Sequence, residues 1–102
     1  GSDSIRVVDE GRKETSSAKT GQTITVELYA PLNQDPNAKD KGWVDLKNEK
    51  GAATRLEVIE TGNNTGTFVG RYKIPKVRDP RAIEVSYGYL GFEKRIVLKV
   101  QQ

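Results

Sequence analysis

The sequence predicts an all-β domain, a small antiparallel β-sandwich of about seven strands, and three observations carry that prediction. No window places apolar residues at i, i+3, i+4 and i+7 over three helical turns, so no amphipathic helix is expected. Strict apolar/polar alternation recurs along most of the chain instead. Clusters of Gly, Pro, Asn and Asp separate these runs at roughly eight-to-twelve-residue intervals, the spacing of sandwich strands. A five-stranded SH3-like or OB barrel would leave at least one run without a partner.

The first strand is expected over about Ser4 to Asp9, with Ile5 and Val7 on one face, followed by a polar loop from Glu10 to Lys19. Gly21 opens the second strand, Gln22 to Tyr29, in which Ile24, Val26 and Leu28 alternate with Thr23, Thr25, Glu27 and Tyr29. Pro31, Asn33, Asp35, Pro36 and Asn37 end it, because proline removes a ladder donor and Asn or Asp closes local turns. Trp43 to Lys47 follows with Val44 and Leu46 inward, and Asn48 to Gly51 supplies a hairpin turn. Thr54 to Glu60 sets Leu56 and Val58 against Arg55, Glu57 and Ile59, and Thr61 to Gly66 breaks the run. Phe68, Tyr72 and Ile74 then share a face with Gly70, where a ring or a backbone can approach closely. Pro75 ends that strand. Ala82 to Tyr89 places Ile83, Val85, Tyr87 and Tyr89 together; Gly91 marks the last turn. Phe92 to Val100 closes the domain with Ile96, Leu98 and Val100 on one side and Arg95, Val97 and Lys99 on the other.

The chain has 102 residues, enough for one domain and one core. Gly1 and Ser2 look like an expression scar, which leaves residues 3–102 as a single domain, and the ends suit a piece cut from a longer protein. Hydrophobic residues make up 34% and charged residues 30%, a composition that folds because the apolar residues fall in periodic runs. The formal charge is +3, with both signs interleaved. No stretch is long and apolar enough to insert in a membrane. The sequence contains no histidine and no cysteine, which removes the common zinc, haem and iron–sulfur ligands, the thiol nucleophile, disulfides and the usual base near neutral pH. The remaining lysines, tyrosines and carboxylates show no catalytic spacing, so no enzyme is expected.

Glu60, Thr61, Gly62, Asn63, Asn64, Thr65, Gly66, Thr67, Phe68, Val69 and Gly70 read ETGNNTGTFVG. This stretch resembles a signature of tandem Ig-like repeats in large bacterial and archaeal surface and S-layer-associated proteins. The order around it, a strand, the loop PLNQDPNAKD, the corner and a strand like IEVSYGY, matches such repeats over about residues 21 to 100. The resemblance implies an Ig-like sandwich serving as a structural, spacer or assembly module of a larger exported protein, outside the cell or on its surface, with neighbouring domains as partners. Read physically, Gly62 and Gly66 can take backbone angles closed to other residues, Thr61, Asn63, Asn64 and Thr65 can bond a tight turn, and Phe68 anchors the outgoing strand. Glu60 opens this structural corner.

The densest positive segment is Arg71, Lys73, Lys76, Arg78 and Arg81, opposed locally by Asp79, and it defines a second reading as a binding module for an acidic glycan, wall polymer or protein partner. Nucleic acid is not expected, because stacking aromatics are not interleaved and Tyr72 faces away from Arg71. Trp43 faces opposite to Val44 and Leu46; it either covers an edge beneath the long loop or, with Tyr29, offers a small aromatic platform to a sugar. Asn33, Asp35, Asn37 and Asp40 could lend oxygens to calcium, but with two charges and Lys39 and Lys41 beside them no cofactor is predicted. In the repeats that the chain resembles this loop is often richer in aspartate. The sequon Asn63, Asn64, Thr65 is read as incidental, and a lysine-to-asparagine isopeptide cross-link stays open.

Overall fold

The computed structural model describes residues 3–30, 36–76, 81–89 and 92–102, the side chains of 89 and 92 aside. Its elements are β1 (Ser4–Val8), β2 (Ser17–Lys19), β3 (Thr23–Tyr29), β4 (Lys41–Asn48), β5 (Ala53–Glu60), β6 (Thr67–Lys73), β7 (Ala82–Tyr89) and β8 (Phe92–Gln101), with no helix among the described residues. The chain is all-β, as its alternation predicts. Two expectations need correction. Eight strands, not about seven, form one curled sheet in the order β1-β3-β6-β5-β4-β7-β8-β2, and the sheet is mixed, not purely antiparallel, because β2 lies parallel to β8.

The added strand lies inside the stretch expected to be a loop. Ser17 stands opposite Lys99 and Lys19 opposite Gln101. The Lys99 amide donates to the Ser16 carbonyl (2.8 Å) and the Thr20 amide to the Gln101 carbonyl (2.8 Å), and Ala18 is buried between them. Before β2, residues 9–13 fold back as a hairpin, with a bridge between Val8 and Glu14. Val8 is buried on the outer face, outside the main core cluster.

The longer strands form because their β-branched residues alternate with polar ones, and the structure buries the apolar set. Ile24, Val26 and Leu28 are essentially inaccessible, while Ile59 (40% exposed) and Val97 (61% exposed) face outward. Inward residues from both ends of the strand order, among them Val7, Val26, Val44, Val85 and Leu98, meet in one buried cluster. Each fully buried side chain of this size contributes roughly 1.5–3 kcal/mol. The curl also brings β1 against β8, although the two do not pair.

The bend lies between β5 and β6. β5 pairs with β4 from Ala53 to Ile59 but meets β6 only at Ile59↔Val69 and Glu60↔Phe68. Gly70 is the reason the strands can cross so closely, since a Cβ there would stand 2.6 Å from the Glu57 carbonyl oxygen. The expectation of a close approach at Gly70 is thus met by backbone rather than by a ring.

The strands run between two poles. Ser4 faces Tyr29, and the Ala30 amide donates to the Gly66 carbonyl (2.9 Å), which sets the start of β1 at the same end as the 60–66 corner. Thr20 bonds Gln101, and the Gly21 amide donates to the Ile74 carbonyl (2.7 Å), which sets the end of β8 at the far end of β3. With seven residues in β3 the two ends lie about 20 Å apart along that strand.

Candidate functional site

The corner is built around a buried acid. Glu60 is 3% exposed, yet it occupies the last position of β5 where the alternation turns its side chain inward with Val58. Its carboxylate accepts from the Asp40 amide through Oε1 (2.8 Å) and from the Gly66 amide through Oε2 (2.9 Å). The Glu60 amide in turn donates to the Asp40 carbonyl (2.9 Å), so the residue before β4 and the end of β5 hold each other reciprocally. These amides, Asp40 first and then Gly66, with Thr65 adding to them, hold the carboxyl below its ordinary value of 4.5, against burial, which pushes it up.

The turn beneath it is closed by hydroxyls and backbone. The Thr61 amide donates to the Thr67 carbonyl (2.9 Å), the Thr61 and Thr65 hydroxyls lie 3.0 Å apart, and the Thr67 amide donates to the Thr65 hydroxyl (3.3 Å). Gly66 takes φ 73°, in the region that favours glycine. Gly62 does not; Asn64 takes the second left-handed position at φ 61°, and Asn63 is exposed beside it. Phe68 is buried at the start of β6. The arrangement binds four backbone segments, the ends of β3 and β5 and the approaches to β4 and β6. Among the described residues no side-chain cation meets the carboxylate, and the chemistry of the corner is that of a clamp.

The basic segment is divided by the fold. Arg71 and Lys73 project from the outer face of β6, opposite Thr25 and Thr23. Lys76 lies over Gly21 at the far pole, where a Cβ on the glycine would come within 2.6 Å of the lysine Cε. Arg81 stands before β7; its carbonyl accepts the Val100 amide (2.7 Å) and its amide donates to Glu49. Lys19 and Lys99, far away in sequence, reach the same pole through the β2–β8 pairing. Arg78 lies outside the described residues. Trp43 is 50% exposed on the outer face of β4, opposite Glu57, while Tyr29 is on β3, and β6 and β5 separate the two strands in the sheet.

Of the calcium candidates, Asn33 and Asp35 lie outside the described residues. Asn37 is exposed, and Asp40 is half-buried with its amide bonded to Glu60. Among the described residues no group of three or more acids gathers as a metal site. All described lysines are exposed, so none lies beside an asparagine in the core as an internal isopeptide would require. Compared with known protein families, curated proteins and solved structures, the chain matches none of them.

Proposed function

We propose that this chain is a non-enzymatic structural module, an Ig-like two-layer sandwich that spaces or assembles a larger exported surface protein. The observation that carries the reading is polarity: β1 starts at the corner pole and β8 ends at the opposite one, so flanking chain would leave from opposite ends of the strands. Modules of this kind can follow one another in a line, with their strands along its axis.

The two-layer description rests on the strand order. β1, β3, β6 and the end of β5 make one layer, and β4, β7, β8 and β2 with the rest of β5 make the other, as in a Greek-key sandwich whose strand β5 passes between sheets. One shared core and a shortest dimension of 19 Å agree with two sheets packed about 10 Å apart. The resemblance of ETGNNTGTFVG to surface repeats supports the assignment to an exported assembly. The corner supports a mechanical role, since its buried acid joins backbone instead of offering a reactive group.

A head-to-tail fusion of two copies, measured by small-angle X-ray scattering, tests the reading. The expected scattering is that of two bodies placed end to end along their strands. Two copies packed side by side would overturn it.

A further inference from the structure

The hairpin after β1 holds a side chain in a costly backbone conformation. The Asp9 amide donates to the Lys13 carbonyl (2.9 Å), the Arg12 amide to the Asp9 carbonyl (3.0 Å) and the Lys13 amide to Asp9 Oδ1 (3.0 Å). The residue in the left-handed region is Arg12, at φ 63°, although glycine stands next to it at position 11. A strained non-glycine residue at a loop tip is a reason to ask what its side chain does.

Arg12 lines a groove of about 770 Å³ on the outer face of β1, β3 and β6, together with Arg71, Thr23, Thr25 and Glu27. The charges in this groove are unevenly matched. Glu27 is held by Arg6 (2.6 Å) and Asp9 accepts from the Lys13 amide, whereas the two cations Arg12 and Arg71 and the single acid Glu10 make no ion pair among the described residues. Thr23 and Thr25, half-buried residues on the lining, have hydroxyls that bond no protein group among the described residues. Two free guanidinium forks match carboxylates, and the threonine hydroxyls match ring hydroxyls. Glu10, also on the lining, disfavours a densely charged polymer such as nucleic acid.

The geometry points to a binding site for an acidic saccharide, a sugar chain carrying spaced carboxylates, gripped by Arg12 and Arg71 together with Thr23 and Thr25. This site does not depend on the spacer reading; a linear module without it would leave that reading standing. It also differs from the basic segment expected from the sequence, since it takes only Arg71 from that segment and adds Arg12 from the β1–β2 hairpin.

The test is an NMR titration of the whole chain with oligogalacturonate, a chain of uronates, beside a neutral dextran oligomer of equal length. The expected result is perturbation of the Thr23, Thr25 and Arg71 amides by the uronate chain alone. Arg12→Gly should fold at least as stably, because glycine relieves the backbone, and bind about tenfold more weakly. Arg71→Gln should weaken binding by a similar factor. No perturbation at millimolar oligogalacturonate, equal perturbation by dextran, or an Arg12→Gly variant that binds like the parent would each overturn the proposal.

Discussion

Glu60 concentrates several constraints in one side chain. A carboxylate buried without donors would be a liability, but this one receives amides from Asp40 and Gly66 and is stabilised in its ionised form. Its folded pKa lies below the unfolded value near 4.5, so its contribution is fully present above about pH 4.5 and is lost as pH falls through the folded pKa. Glu60→Gln should therefore melt at a lower temperature than the parent at pH 7, because an amide nitrogen would face a backbone donor. Its further loss between pH 5 and pH 3 should be shallower; circular dichroism melts with parallel pH curves would contradict this. At the same corner Gly66→Ala should cost about 1–2 kcal/mol in chemical denaturation, the cost of a Cβ in the left-handed region. The turn was legible from its Gly, Asn and Thr residues. The role of Glu60 was not, since its main partner, Asp40, is twenty residues away and only the pairing of β4 with β5 brings them together.

At the scale of elements, the alternating strands were legible because burial and backbone period act on the same residues. Ile24, Val26 and Leu28 announce β3 without help from any neighbour. β2 could not be read this way, since Ser17, Ala18 and Lys19 hold a single apolar residue and become a strand only when β8 supplies their hydrogen-bond partners. Tertiary pairing overrides a weak local signal there. Ala18→Asp would force a charge into the buried seam between β2 and β8, and it should abolish hydrogen-exchange protection of the Lys99 amide while leaving the β3 amides protected. Retained protection at Lys99 would show that β2 does not depend on Ala18. Gly70→Ala should destabilise by about 1–3 kcal/mol in urea titration, because the Glu57 backbone, not a flexible side chain, stands in the way.

For the whole molecule, the strand directions decide how tension would pass through it. β1 starts at the corner pole and β8 ends at the far pole, so a pull on both ends draws β1 along β3 and β8 along β2. The hydrogen bonds of each pair then carry load together, in shear, instead of opening one at a time. Composition and alternation foretold a β-rich domain, but this axial arrangement depends on the order β1-β3-β6-β5-β4-β7-β8-β2, which no local pattern encodes. The chain contains no cysteine, so single thiol handles can be introduced at chosen positions. The most direct measurement is single-molecule pulling through residues 3 and 102, compared with pulling through residues 50 and 102, both at the far pole. A spacer built along its strands should resist the first direction with a several-fold higher unfolding force than the second, and equal forces would contradict the axial account.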